Sequence, residues 1–298
     1  MLLAILFNPI SGSGRALAVA ERLRQGLESG GIAVRLIPSE RGALEEWLRP
    51  KLRDVTTLVV AGGDGSVRLA AGEAARAGIP IWHAPCGTEN LFARAFAMTR
   101  SPRDVTRALI AGRTRAIDLG CAGAEHFTIM ASVGFDAEVV HELGARRTGK
   151  ISHLSYLTPI LRLFRDWRPS ALAWTIDGEH EALGRGVVVV GNLPNYGVRL
   201  NPAAEALPDD RALDAVYIPA ESALGLLPWV PLLRTGLHLW HPRLRVRRAR
   251  SIVLHATPAA RLQLDGDPVG RAPMTETMLS VSPHALLVLL PHSAPVGG

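Results

Sequence analysis

The sequence predicts an α/β N-terminal domain with a parallel sheet, followed by a mostly antiparallel β-sandwich domain, and three observations carry that expectation. Short apolar β-like runs alternate with helical stretches through the first third of the chain. Glycine-rich loops fall at the C-terminal ends of those runs, where open parallel sheets bind ligands. From about Gly120 the texture changes to many short β-runs separated by Gly, Pro or Asp turns, with few helices. The boundary is placed near Ala116–Gly120, giving domains of residues 1–119 and 120–298.

In the first domain Leu2–Phe7 reads as a buried strand leading into Asn8-Pro9-Ile10-Ser11-Gly12-Ser13-Gly14 and a helix near Arg15–Ser29. Ala33–Ile37, Thr57–Ala61 and Ile79–Ala84 continue the strands. Helices near Leu44–Lys51, Val67–Ala77 and Asn90–Ala97 separate them. In the second domain the β-runs are Phe127–Val133, Ala171–Ile176, Gly186–Gly191, Ala215–Ile218, Leu244–Val246, Ser251–His255, Ala260–Leu264 and Leu286–Leu290. Ser293–Gly298 reads as a frayed tail.

Two helical stretches interrupt those strands. Ile151, Leu154, Leu157, Ile160, Leu161, Phe164 and Trp167 recur at three-to-four spacing, preceded by Arg146, Arg147 and Lys150. Leu224, Leu227, Trp229, Val230, Leu233, Leu237 and Trp240 form a second apolar stretch, followed by the basic run Arg243–Arg250. An apolar helix edged with Arg lies on a membrane or roofs an acyl-chain groove, or else packs on its own domain, which is the commoner case for a single stripe.

With 298 residues there is room for two cores. No apolar stretch approaches the ~18 residues that span a bilayer; Ala223–Leu233, the longest candidate, is broken by Pro228 and Pro231. Met1–Phe7 is too short for a signal peptide and lacks a basic flank. Cys86 and Cys121 alone make no disulfide framework and suit a reducing cytosol. The formal charge of +6, carried almost entirely by Arg, suits phosphates and anionic lipid alike. Sparse aromatics and no recognition signature argue against nucleic acid.

The loop Gly62-Gly63-Asp64-Gly65-Ser66 follows an apolar strand and opens an Ala-rich helix. Glycines there let backbone N–H groups approach a phosphate, and the helix N-terminus adds partial positive charge. Asp64 beside phosphates is repelled unless Mg²⁺ or a proton intervenes. A tight turn with no ligand is the lesser alternative for this segment alone.

The ordered set of segments resembles the diacylglycerol kinase catalytic-domain family, the lipid kinases that include bacterial diacylglycerol kinases and sphingosine and ceramide kinases. The resemblance covers nearly the whole chain. Its pieces are Asn8-Pro9-x-Ser11-Gly12, the Gly62–Ser66 loop, Pro85-x-Gly87-Thr88-x-Asn90 with Ala93-Arg94, Gly134-Phe135-Asp136-Ala137 and Gly149-Lys150 with Tyr156. Further on come Asn192 with Tyr196-Gly197, Asp209-Asp210 with Leu213-Asp214, Leu264-Asp265-Gly266-Asp267, and Val281-x-Pro283-x-Ala285 with Leu290-Pro291. The resemblance implies that residues 1–119 bind ATP and 120–298 bind a lipid. It implies nucleotide contacts from Asn8, Pro9, Ser11, Gly12, Ser39, Gly62, Gly63, Asp64, Gly65, Ser66, Val67, Arg68, Gly87, Thr88 and Asn90. Asp267 stands where the family has a Glu proposed as the base, and Asp64 is implied to orient that base or the Mg²⁺. A Mg²⁺ site is implied from the Leu207 and Ala212 carbonyls with the Asp210 carboxylate, an oxygen set that hard cations prefer.

Several positions depart from that pattern. Asp267 is one methylene shorter than Glu, setting its carboxylate ~1.5 Å back. Leu91 stands where many members have Asp. Arg211 replaces the Gly usual after the acidic pair. Pro38-Ser39 stands where a nucleotide-contacting Thr is common, and Ser66 replaces Thr with its hydroxyl kept. Read singly, Asp209, Asp210 and Asp214 are a solvated turn, Asp265-Gly266-Asp267 is a hairpin turn, and His83, His141 and His153 are structural. The expectation is a cytoplasmic, peripherally membrane-associated lipid kinase using ATP and Mg²⁺ and meeting an anionic membrane surface, with monomer and homodimer both left open. The alternatives are a soluble-substrate kinase of the NAD kinase or phosphofructokinase type, and a weakened lipid- or nucleotide-binding homologue.

Overall fold

The computed structural model describes residues 1–9, 14–145 and 161–292. It divides into two compact units, Met1–Leu119 with the chain from Pro283 onward, and Gly120–Ser282. Assigning all of 120–298 to the second domain is therefore corrected at its end. Leu286, Val288 and Leu289 are buried, Val288 pairs in parallel with Ile81, and the Leu290 amide donates to the Arg113 carbonyl at 2.8 Å.

The first unit is a parallel sheet in the order Ala33–Pro38, Leu2–Phe7, Thr57–Gly62, Ile81–Pro85 and the final segment around Val288. Leu3–Leu6 and Leu58–Ala61 are fully buried, as uninterrupted apolar runs must be when a parallel sheet is covered on both faces. Chain order reverses between Leu2–Phe7 and Thr57–Gly62, so the crevice beyond their C-terminal ends is the topological switch point. The segments from Asn8 and from Gly63 start there.

Helices Arg15–Glu28 and Asp64–Ala77 pack on the sheet, the second beginning three residues before its expected start. The helix expected over Asn90–Ala97 runs only Leu91–Ala95. A helix at Pro102–Ala111 was not anticipated, although Ser101-Pro102-x-Asp104 is an N-terminal signature. The Ser101 hydroxyl accepts the Asp104 amide at 3.4 Å.

The second unit is antiparallel. Its ladder runs Arg245–Ala249, Leu213–Pro219, Glu179–Gly191, Met130–Val133, Ser251–Leu264 and the long strand from Asp267, with Ala171–Ile176 pairing Ser251–Leu264 and Glu179–Gly191. The expected pair Ser251–His255 and Ala260–Leu264 is one strand with register shifts between them. Most of residues 267–282 were missed, because Pro268, Pro273 and polar residues interrupt the apolar pattern there.

Strand alternation builds two compartments. Val188, Val190, Leu213, Ala215 and Tyr217 face a core with Trp174, Ile252, Leu254 and Leu279. Val216 and Ile218 face the other way, against Trp229, Leu233 and Leu244. The apolar stretch over residues 224–240 is not one helix. It breaks into Leu224–Leu226, Trp229–Thr235 and Leu237–Trp240, since Pro228 and Pro231 remove donors and Gly236 turns with φ +79°. Of the first stripe, residues 161–166 are helical, while Arg146, Arg147, Lys150, Ile151, His153, Leu154, Tyr156, Leu157 and Ile160 lie outside the described residues.

Candidate functional site

The first unit presents two glycine loops back to back. Gly63 ends the strand Thr57–Gly62 in extended conformation and caps the helix Asp64–Ala77, so that helix's first amides face outward at the sheet's C-terminal edge. A Cβ on Gly87 would lie 2.8 Å from the Gly63 Cα and 3.0 Å from Asn90 Oδ1. None of Gly62, Gly63, Gly65 and Gly87 has a positive φ. At Gly63 and Gly87 it is therefore the close approach of the two backbones, not a left-handed conformation, that requires glycine.

Around this contact the loops are pinned by hydrogen bonds. Asn90, in the left-handed region at φ +49°, accepts the Gly87 amide at 2.7 Å and donates to the Gly87 carbonyl at 2.8 Å. The Gly62 carbonyl accepts the Cys86 amide at 2.8 Å and His83 Nε2 at 2.9 Å. Asp64 accepts the Leu91 and Phe92 amides, both at 3.0 Å. Its charge is thus drawn onto the N-terminus of the next helix, which explains how a carboxylate sits in a phosphate-type loop. Leu91 stands at that terminus with its side chain buried, contributing its amide rather than a carboxylate.

The remaining nucleotide candidates are placed as follows. Ser66 and Arg68 are half-buried in the first turns of the helix, Thr88 is exposed, and the Val67 side chain is in the core, leaving only its backbone for a ligand. Asn8 is half-buried and Pro9 exposed at the end of the first strand. The Ser39 amide donates to the Phe7 carbonyl at 2.8 Å, joining the next loop to the same edge. Ser11 and Gly12 lie outside the described residues.

In the second unit, Asp265 and Gly266 are a two-residue turn with both φ positive, at +50° and +83°, and Leu264 pairs with Asp267 across it. The Asp265 carboxylate is buried and accepts Thr128 N at 2.7 Å, Thr128 Oγ1 at 2.9 Å, Ile129 N at 2.9 Å and Met130 N at 2.9 Å. Burial pushes its pKa up to about 6 against the pull of those donors. Gln263 Oε1 accepts the Gly266 amide at 2.7 Å. The hairpin is anchored at its first acidic residue and presents the second, Asp267, half-buried at the start of the last strand.

Beside it lies a buried polar network. Asp136 Oδ2 accepts from the Ser132 and Tyr196 hydroxyls and from Gln263 Nε2 at 3.3 Å, while Asp136 Oδ1 is buried without a partner. Burial and the Asp136 charge raise the Tyr196 phenol well above its usual range. Asp136 and Tyr196 are the polar edge of a cavity of about 240 Å³ that is otherwise apolar. Val187, Val189 and Ile218 form its sheet side, Val230 and Leu233 its helical side, and Phe135 and Phe164 another wall. The Phe135 and Phe164 rings meet edge to face at 5.7 Å.

At the acidic loop, Asp210 accepts the Ala212 amide at 3.0 Å and pairs with Arg248. Arg211 holds φ +66°, so the chain keeps the turn for which the family uses Gly. Asp214 has a buried, unpartnered Oδ2, and burial together with Asp210 raises its pKa to about 6. Leu207 is exposed. No cluster of three metal-ligating side chains exists among the described residues. Two neighbouring carboxylates, one with an unsatisfied oxygen, still fit a hard cation held mainly by carbonyls.

Residues 2–122 match the family profile described as the diacylglycerol kinase catalytic domain, and residues 129–290 match the YegS C-terminal NAD kinase beta sandwich-like domain. A Pseudomonas aeruginosa protein named "Probable lipid kinase YegS-like" is 32% identical over 254 residues, covering 80% of this chain and 78% of its own. The chain belongs to the diacylglycerol kinase-like lipid kinase family. This kinase is also 28% identical over 295 residues to a diacylglycerol kinase of Mycobacterium tuberculosis, covering 96% of this chain and 94% of the relative. A crystal structure of a diacylglycerol kinase from Bacillus anthracis superposes with a TM-score of 0.70 at 19% identity, covering 98% and 97% of the two chains, a likeness of fold.

In this lipid kinase each unit gathers its own candidates. Gly62–Arg68, Gly87, Thr88 and Asn90 converge on one edge of the first. Sequence reading missed Ser132, Gln263 and the structural weight of Asp265. It offered an acyl-chain groove under the two apolar stretches as one alternative but did not name the sheet side, Val187, Val189 and Ile218, or the polar edge at Asp136 and Tyr196. No helix among the described residues is long and apolar enough to cross a membrane.

Proposed function

We propose that this lipid kinase transfers the γ-phosphoryl group of ATP, with Mg²⁺, to a hydroxyl of a diacylglycerol- or sphingoid-type lipid. The observation that carries the reading is the cavity of the second unit, apolar except for Asp136 and Tyr196. A hydrocarbon chain fits such a lining, whereas a sugar phosphate or dinucleotide would leave its polar groups unpaired there.

The glycine loops of the first unit bind the nucleotide phosphates through backbone N–H groups at the N-terminus of Asp64–Ala77. Asp64 positions the helix Leu91–Ala95 against that loop. Asp267 accepts the proton of the lipid hydroxyl as its oxygen bonds to the γ-phosphorus, and the bond to the β–γ bridging oxygen breaks to release ADP. Asp265 and Gln263 hold the Asp267 hairpin in place. Asp210 with the Leu207 and Ala212 carbonyls would hold Mg²⁺, with Asp214 beside them. When bound, the ion supplies charge neutralisation for the phosphates.

The test is phosphorylation of a whole lipid extract with labelled ATP, run beside a panel of soluble sugars and dinucleotides. Label in one chromatographically distinct lipid class supports the reading and names the substrate. Label confined to soluble acceptors overturns it.

A further inference from the structure

We propose that residues 224–240 form a bilayer-docking face, and that the cavity of the second unit fills from the membrane across it. Only the second half of this statement rests on the kinase reading above.

The segment has two faces with different fates. Its inner face is packed: Trp229 and Leu233 are buried against Val216 and Ile218, and Trp229 Nε1 donates to the Pro219 carbonyl at 3.1 Å. His238 is fully buried, with Nε2 2.9 Å from the Pro202 carbonyl. The segment is therefore anchored, and what it shows outward is held in place. Outward it shows Leu224, Leu227, Leu237 and Trp240, which are 65, 51, 57 and 86% exposed. Four large apolar side chains on one short stretch exceed the scattered exposure that a protein surface normally carries. Trp229 belongs to the same apolar stretch but not to this outward face, since its ring is buried and bonded.

Three observations choose a membrane as the occupant. Leu227 both lines the cavity and is exposed, so it stands at a mouth. Two other lining residues have exposed apolar neighbours in sequence, Phe164 with Leu161 and Leu200 with Val198. At Leu227 the mouth thus carries a side chain that favours hydrocarbon, and further exposed apolar residues lie within three positions of the lining. Residues 222–250 also contain six arginines and no carboxylate. Arg245 and Arg247 share Glu181, and Arg248 pairs with Asp210, so the surface keeps a positive excess that includes Arg234 and Arg243. Apolar side chains with Trp among flanking cations suit an anionic lipid interface. A second copy meeting the same face across a two-fold axis would bring positive charge against positive charge.

The test is co-sedimentation of the full chain with phosphatidylcholine vesicles, with and without phosphatidylglycerol, at low and high salt. Sedimentation velocity and kinase assays accompany it, using long-chain diacylglycerol in vesicles and a short-chain water-soluble analogue. Wild type is expected to bind anionic vesicles with a salt-resistant remainder. Leu237→Ser/Trp240→Ser, with unchanged circular dichroism, should reduce binding by roughly 10-fold or more and slow turnover of vesicular substrate alone. Should that variant not fold, Arg234→Gln/Arg243→Gln must lose the salt-sensitive part. Wild type that fails to bind at low salt, or variants that bind like wild type, overturn the docking face. So does a face whose substitution dissolves a dimer and leaves vesicle binding intact. Vesicle binding with no lipid phosphorylated leaves the docking face standing and removes the kinase reading instead.

Discussion

His83 Nε2 donates to the Gly62 carbonyl at 2.9 Å, tying the base of the phosphate-type loop to the adjacent strand. The imidazole is fully buried, its Nδ1 has no partner, and burial lowers its pKa below the usual value. The folded protein therefore resists a proton that the unfolded chain accepts near pH 6.5. Because the unfolded state binds more protons below that point, stability should fall as pH drops through 6.5. In His83→Phe the Gly62 carbonyl loses its side-chain donor, at a cost of about 1–3 kcal/mol at pH 7.5. The Tm difference between pH 7.5 and pH 5.5 should be smaller in that variant than in wild type. Equal differences would remove His83 as the source.

Asp265 and Asp267 are two residues apart and should fail differently. Asp267→Asn is expected to lower turnover by about 10²–10⁴-fold with ATP affinity and Tm near wild type. Asp265→Ala leaves the Thr128, Ile129 and Met130 amides without their acceptor. It should destabilise the fold by several kcal/mol, on the order of a broken buried network. Steady-state kinetics with nucleotide titration and thermal melts read both. If Asp267→Asn keeps most of the activity while Asp64→Asn is dead, Asp64 inherits the base.

Gly87→Ala and Gly63→Ala separate loop packing from ligand contact. A Cβ on Gly87 would be 2.8 Å from the Gly63 Cα, backbone that must shift, whereas a Cβ on Gly63 meets the Gly87 Cα at an ordinary 3.4 Å. Isothermal titration with ATP should therefore show Gly87→Ala as the more damaging, by roughly 10-fold or more. If Gly63→Ala weakens ATP equally, a phosphate lies directly against Gly63. If neither changes affinity, the loops do not hold the nucleotide.

The acidic loop predicts a metal effect. Mg²⁺ is expected to raise the wild-type Tm, with the rise removed by EDTA and absent in Asp210→Asn. Arg211→Gly should stabilise the loop by about 1 kcal/mol, since φ +66° suits Gly and strains Arg. A Tm rise from Mg²⁺ that persists in Asp210→Asn would place the ion elsewhere.

How much was legible in the chain itself depends on the range of the deciding interaction. Strand–helix alternation and the motif loops follow from local sequence, since side-chain periodicity and glycine-rich turns are short-range properties. They sufficed for the two fold classes, the family and the loop candidates at Gly62–Ser66 and Gly87–Asn90. Ala171–Ile176 reads correctly to the residue because Pro169 precedes it and the Asp177-Gly178 turn ends it. What only the tertiary structure decided are the partnerships between residues far apart in sequence. Asp265 became a structural anchor because three amides 135–137 residues earlier converge on it. Asp64 turned toward Leu91 and Phe92 because the neighbouring loop ends in a helix with free amides. Within one apolar stretch, Trp229 went inward and Trp240 outward. Hydrophobicity is the same for both rings, and only the packing of the chain around Gly236 settles which face water, or a membrane, receives.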